Sequence, residues 1–397
     1  MMMNLITLKK IKQMINIPFC KPYLTNNEIS YISTVLDKKK LSGNGDFTKK
    51  CHHLFNEYYG FKNCLLTSSC TDALEMAAIL IDIHPGDEVI MPSYTFVSTA
   101  NAFILRGAKI LFVDSRKDSP GMDEDKIEEL ITSKTKAIVP VHYAGISCDM
   151  DKIMLIAKKY GLFVIEDAAQ SIDSYYIDKN GNKSPLGSFG DLAAFSFHET
   201  KNIISGEGGM LVINNEEFKD RAEIIWEKGT NRSAFFRGEV NKYGWVDLGS
   251  SFLPSEITAA FLYAQLEQIN KIQKRRLDIW NLYYERLSYL SSKFSIQTSF
   301  VPHYSTNNGH IFYIVCNTLN ERTDLIDYLK QKGILAVFHY LSLHKSDYFE
   351  KLHDTRSLVQ SDRYSDCLLR LPLYNDLELT DVNLICSEII NYFESKI

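Results

Sequence analysis

No two cysteines of this chain form a C-x-x-C pair; Cys20, Cys51, Cys64, Cys70, Cys148, Cys316, Cys367 and Cys386 are scattered. That spacing argues against a disulfide framework or a cysteine zinc site, and leads us to expect reduced thiols in a cytoplasmic protein. His198-Glu199 opens like the zinc motif H-E-x-x-H, but Asn202 stands where the second histidine is needed, so no metal is expected. No apolar run reaches the roughly 18 residues of a membrane span. Met1 to Gln13 contain lysines but no h-region of a secretion signal. We read residues 1–16 as a disordered extension, with the folded chain starting near Ile17. The net charge of -5 comes from interspersed signs, leaving no basic face for nucleic acid. Low-complexity blocks and internal repeats are absent as well. A chain of 397 residues is nevertheless too long for one compact core, so two domains are expected.

What the chain does have, from about Asn63 to Asn214, is an alternation of short apolar runs with helical stretches. Cys64-Leu65-Leu66, Glu88 to Met91, Lys109 to Val113, Ala137 to Val141 and Leu162 to Ile165 are each bounded by turn or helix signals. Continuous apolar strands separated by helices indicate an α/β fold, its mostly parallel sheet flanked by helices. A long helix is expected over about Ser255 to Ser291, bridging two domains. Beyond it, strands at Ile311 to Val315 and Leu335 to Phe338, a helix through Leu325 to Leu329, and a closing segment from Glu378 suggest a smaller α+β domain.

Ligands of such sheets bind at the carboxyl ends of the strands. One apolar strand there ends in Glu166-Asp167, and another, Ala193 to Phe197, leads to Lys201. That pair is what pyridoxal 5′-phosphate (PLP) needs: an amine to bond the cofactor aldehyde, and a carboxylate to keep the pyridine nitrogen protonated. Thr67-Ser68-Ser69-Cys70-Thr71 lies between a strand and a helix, and serves either as a phosphate cradle or as a plain helix N-cap. Tyr94 and Phe96 supply either a ring to stack on a flat heterocycle or two core aromatics. His142 bonds either a ligand or a backbone carbonyl. Gly206-Glu207-Gly208-Gly209 does not fit G-x-G-x-x-G and instead permits a tight return of the chain. Arg232 and Arg237, in the loop from Glu227 to Gly238, either pair with a diphosphate or are solvated.

From about Ile17 to its C-terminus the chain resembles the DegT family of sugar aminotransferases. The matching stretches are Leu41 to Gly45, Gly86 to Asn101, Pro140 to Gly145, Glu166 to Gln170, Ser196 to Asn202 and Glu227 to Ser233. The resemblance implies a fold-type-I PLP-dependent transferase with a large domain over 17–270 and a small one over 271–397. It implies Lys201 as the cofactor-bonding lysine, Asp167 as the partner of the pyridine nitrogen and Gln170 near the ring hydroxyl. Cys70, Thr71 and Ser196 would hold the phosphate, and Phe96 would stack on the ring. His142, Arg232 and Arg237 are the substrate-binding candidates. The expected substrates are a dTDP-linked 4-keto-6-deoxyhexose and glutamate, in a homodimer with shared active sites. Ser251 departs from the family pattern in the segment that crosses between subunits. Some relatives carry histidine in place of the lysine and dehydrate sugars; Lys201 favours transamination over that alternative, Lys201 and Asp167 together favour it over a non-catalytic regulatory protein of the same fold, and another keto-sugar specificity stays open.

Overall fold

The computed structural model describes residues 16–396. Its main sheet is built from β1 (Cys64–Thr67), β2 (Glu88–Pro92), β3 (Lys109–Val113), β4 (Thr135–Ile138) and β5 (Phe163–Asp167). A separate hairpin, β6 (Tyr175–Ile177) and β7 (Lys183–Pro185), precedes the last two sheet strands, β8 (Leu192–Ser196) and β9 (Gly209–Ile213). The seven strands lie in the order β1-β9-β8-β5-β4-β2-β3. Val89, Ile110, Ala137 and Ile165 enter one core, while their neighbours Ile90, Leu111, Ile138 and Val164 enter another on the opposite face. Period-two side chains buried on both faces explain why the strands read as unbroken apolar runs.

Of these strands, β9 runs antiparallel to both its neighbours. The chain returns to it directly after Lys201: Phe197 N–H donates to Gly208 O and Glu199 N–H to Gly206 O, each at 2.8 Å. Gly206 has φ +80°, a left-handed conformation that glycine adopts without strain. A tie this tight leaves no room for the helical crossover that a parallel strand requires.

The C-terminal part carries an antiparallel sheet, β10 (Gln297–Thr298), β11 (Tyr313–Val315) and β12 (Leu368–Arg370). Ile314 and Leu369 pack on one side with residues of the helices Ile269–Leu287, Leu319–Gln331 and Leu379–Glu394. Tyr313, Val315 and Leu368 pack on the other against Tyr94 and Tyr143 of the main sheet's loops. Ile17 joins the C-terminal core, and Asn16 and Ile17 both donate to Gly333 O, at 2.9 and 3.0 Å. Apart from Asn16, the expected extension lies outside the described residues.

Two expected elements differ. The long helix is interrupted: Glu256–Leu266 ends before Gln268, whose φ of -108° and ψ of 12° are not helical, and Ile269–Leu287 starts anew. This second helix still bridges two cores, with Ile272 in one and Ile279 in the other. Leu335 to Phe338 forms no strand, because Ile334 bridges to Ile17 and Val337 to Arg370, isolated pairs on two different neighbours. No helix among the described residues is long and apolar enough to cross a membrane.

Candidate active site

Most of the residues singled out above meet at the carboxyl end of the main sheet, around a cavity of about 620 Å³. Cys70, Thr71, Phe96, Asp167, Gln170, Ser196 and Lys201 all line it. β1 runs into the helix Cys70–Leu80, and Ser69 caps that helix by accepting from Asp72 N–H at 3.1 Å. The first-turn N–H groups of Cys70 and Thr71 have no intrahelical acceptor, so this end of the helix attracts an anion. β9 comes close beside it: a Cβ on Gly209 would lie 2.4 Å from the Ser69 carbonyl and 2.5 Å from the Cys70 nitrogen. In the Ser/Thr run Ser69 thus caps the helix, and Cys70 and Thr71 line the cavity.

Glu166 and Asp167 end β5 on opposite faces. Asp167 turns to the cavity, where its Oδ2 accepts from Thr99 Oγ1 at 2.6 Å and its Oδ1 from Ala169 N–H at 3.2 Å. Burial pushes its carboxyl above the usual 3.8, opposed by these two hydrogen bonds and the Lys201 charge. Glu166, on the far face, is fully buried. It accepts from Gly187, Phe189 and Gly190 N–H groups, each at 2.8 Å, and bonds His142 Nε2 at 2.9 Å. Lys201 follows β8 through a turn in which its N–H donates to His198 O at 2.9 Å. Burial pushes the Lys201 amine below the usual 10.5; Asp167 counters that shift and the Arg370 guanidinium adds to it.

Residues 22–390 match the model of the DegT/DnrJ/EryC1/StrS aminotransferase family. The chain belongs to that family. Among curated relatives, the spore coat polysaccharide biosynthesis protein SpsC of Bacillus subtilis is 32% identical over 376 residues, covering 92% of this chain and 94% of SpsC. Among solved structures, the PMP-form of Spr1654, a candidate sugar aminotransferase of Streptococcus pneumoniae, superposes with a TM-score of 0.87 at 26% identity. That match covers 96% of this chain and 100% of Spr1654, which is also solved in a PLP-form. The aminotransferase TlmJ of Streptoalloteichus hindustanus gives a TM-score of 0.84 at 26% identity, covering 94% and 97% of the two chains. The fold is the fold-type-I arrangement of these aminotransferases, a mostly parallel sheet flanked by helices.

In this aminotransferase three expected substrate contacts lie elsewhere. The His142 ring does not reach the cavity: Nε2 is held by Glu166, and Nδ1 accepts from Cys148 N–H at 3.3 Å. Arg237 pairs with Glu223 at 2.8 Å and Glu239 at 2.7 Å, while Arg232 stands 3.9 Å from Glu227 and over the Phe236 ring. Ser251 forms an isolated bridge to Glu227. Gln170 lines the cavity with both ends engaged, Oε1 accepting from Ala144 N–H at 2.7 Å and Nε2 donating to Tyr340 OH at 3.0 Å. Phe96 is 55% exposed at the mouth, a position suited to stacking rather than to a core.

Sequence reasoning missed the opposite wall: Phe19, Arg276, His310, His339, Tyr340 and Arg370. They come from the N-terminal segment, the bridging helix, and the C-terminal sheet and loops beside it, outside the family stretches named above. His310 Nδ1 bonds Asn202 Oδ1 at 2.8 Å, so Asn202, which excluded the zinc motif, ties this wall to the Lys201 turn. The polar spacing of these residues carries no local signal that could have marked them.

Proposed function

We propose that this aminotransferase binds PLP through Lys201 and transfers an amino group from glutamate to a nucleotide-linked 4-keto-6-deoxyhexose. The observation that carries the reading is the convergence of an amine, an acid and a helix N-terminus on one cavity from three separate stretches of chain. PLP, when bound, withdraws electrons from the carbon that bears the amino group, making its hydrogen acidic.

The protein's own groups divide the work. Burial favours the neutral Lys201 amine, which makes it a nucleophile and, once free, a base for the proton on the donor's Cα. Asp167 holds a positive ring nitrogen in place, whereas Glu166 faces away from the cavity. Cys70, Thr71 and Ser196 take the phosphate, and Phe96 covers the ring. Arg232 and Arg237 contribute to the neighbouring site of a homodimer. Residues 17–270 and 271–397 act as large and small domains, and the enzyme is cytoplasmic.

The His198-Glu199-Thr200-Lys201-Asn202 run and the loop from Glu227 resemble the dTDP-4-amino-4,6-dideoxygalactose transaminase of enterobacterial common antigen and lipopolysaccharide synthesis. We therefore favour dTDP-4-dehydro-6-deoxy-D-glucose as acceptor. The test incubates the enzyme with glutamate and either dTDP- or UDP-4-keto-6-deoxyglucose, with the product's C4 configuration read by NMR. A galacto-configured 4-amine from the dTDP sugar is expected; amination of the UDP sugar alone, or a gluco product, would refute the specificity. Borohydride should bleach the yellow protein and fix the cofactor to Lys201, and Lys201→Ala should fold but neither colour nor turn over. A coloured Lys201→Ala protein would move the role to another lysine.

A further inference from the structure

His310 lines the cavity from the loop before β11 and is only 8% exposed. Three of its polar atoms are held within the protein. Its N–H donates to Asn308 Oδ1 at 3.1 Å, and its carbonyl accepts from Arg276 Nη2 at 3.0 Å. Ring Nδ1 lies 2.8 Å from Asn202 Oδ1. The remaining atom, Nε2, has no hydrogen-bond partner among the described residues. Which ring nitrogen carries the proton is decided by Asn202. The Asn202 amide donates to the Asn308 backbone carbonyl at 2.8 Å and to Gln273 Oε1 at 2.9 Å. A backbone carbonyl only accepts, so the amide nitrogen faces it and the amide oxygen faces His310. That oxygen can bond the ring only if Nδ1 carries the hydrogen, which leaves Nε2 a bare lone pair in the neutral ring. Burial, with the Lys201, Arg276 and Arg370 charges around it, pushes the ring well below the usual 6.5 and keeps it neutral.

We propose that His310 Nε2 accepts a hydrogen bond from the C3 hydroxyl of the keto sugar, and so selects acceptors that carry one. This rests on the transaminase reading above and adds a residue that recognises the sugar. Lys201 and His310 line the same cavity, so the group that meets Nε2 belongs to the part of the substrate close to its reacting carbon. In a 4-keto-6-deoxyhexose, C4 is flanked by C3, which bears a hydroxyl, and by C5, which bears a methyl group and the ring oxygen. The C3 hydroxyl is therefore the one hydrogen-bond donor beside the reacting centre.

The amino donor offers no such group. Apart from the amine that reacts, glutamate presents carboxylates, which only accept, and two acceptors cannot bond each other. A bare ring nitrogen thus favours the sugar in one half-reaction without holding the amino acid in the other. The acids that line the cavity are engaged elsewhere: Asp167 accepts from Thr99 and Ala169, and Glu207 stands 3.7 Å from His198. Because backbone and Nδ1 are both anchored, Nε2 is held in place before the substrate arrives, and no ordering of the ring is needed on binding.

The test makes three measurements on the holoenzyme, with His310→Asn as the variant; its amide can still donate to Asn202 but has nothing at the position of Nε2. In enzyme carrying 15N-labelled histidine, the NMR signals lost in His310→Asn should be those of a ring protonated at Nδ1 alone. Wild type should use the 3-deoxy analogue of the keto sugar about 10- to 100-fold less well in kcat/KM than the parent, the value of one hydroxyl bond lost in a desolvated site. His310→Asn should show that loss with the parent sugar, discriminate little between the two sugars, and keep its single-turnover rate with glutamate. A ring protonated at Nε2, equal use of the two sugars by wild type, or equal losses of His310→Asn in both half-reactions would each overturn the assignment. The comparison of sugars needs no variant, so it decides the matter even where His310→Asn does not fold. Wild type that is converted by glutamate but aminates neither sugar would instead refute the acceptor reading, and this inference with it.

Discussion

Glu166 and Asp167 are adjacent acids with opposite surroundings, and neutralising each should have opposite consequences. In Asp167→Asn the side-chain oxygen can keep one of the two contacts, from Thr99 or from the Ala169 N–H. Burying an amide also costs less than burying a carboxylate whose protonation burial already favours. Stability should therefore change by no more than about 1 kcal/mol. What is lost is the charge opposite the ring nitrogen. Removing one preorganised electrostatic partner costs about 3–4 kcal/mol, or a hundred- to a thousandfold in rate. Glu166→Gln turns a group with four hydrogen-bond donors around it into one with a donor of its own. Breaking such a buried charged network should cost about 3–5 kcal/mol of stability. Stopped-flow single turnovers with glutamate measure the first effect, and urea unfolding of both variants the second. The loss in Asp167→Asn should appear in both half-reactions and be smaller in sugar binding. Near-normal turnover by Asp167→Asn, or undiminished stability of Glu166→Gln, would refute the division of roles between the two faces of β5.

Gly209→Ala places a methyl against the Ser69 carbonyl and the Cys70 nitrogen; it should lower stability by about 1–3 kcal/mol and weaken PLP retention, measured by dialysis and absorbance. Lys201→Ala subunits mixed with subunits carrying a disabled Glu227-to-Gly238 loop should regain part of the activity, whereas no recovery despite subunit exchange would place each site within one chain. His52 Nε2 accepts from Leu66 N–H at 3.1 Å, which only the neutral ring can do, and burial pushes its pKa from 6.5 down to about 4. Because the folded value lies below the unfolded one, this stability is complete above pH 6.5 and is lost as pH falls towards 4. Allowing for the ring's partial contact with solvent, the loss is about 2 kcal/mol, and His52→Gln, which keeps an acceptor but cannot titrate, should flatten the profile in urea titrations.

The elements around the cofactor half of the site were legible because each signal is local. An apolar run before Asp167, another before Lys201 and a Ser/Thr turn before the helix Cys70–Leu80 each announce a strand end or a helix start within a few residues. Parallel strands then bring such ends to one edge of the sheet. Ambiguous single residues were another matter: the His142 ring could be placed only once Glu166 was seen to bond its Nε2, and Phe96 could be excluded from the core only from its exposure. The reversal of β9 was equally hidden, since a fully buried strand reads the same in either direction.

By itself the sequence determined the alternating strands and helices, the amine and acid at their ends, and the absence of cysteine-pair and zinc motifs. Tertiary structure alone decided which solitary polar residues face the cavity. Arg276, His310 and Arg370 are separated from Lys201 by 75, 109 and 169 positions, and reach it through the packing of the C-terminal sheet against the tyrosines of the main-sheet loops. Backbone periodicity encodes which face of its own element a side chain takes; it does not encode which element will lie opposite.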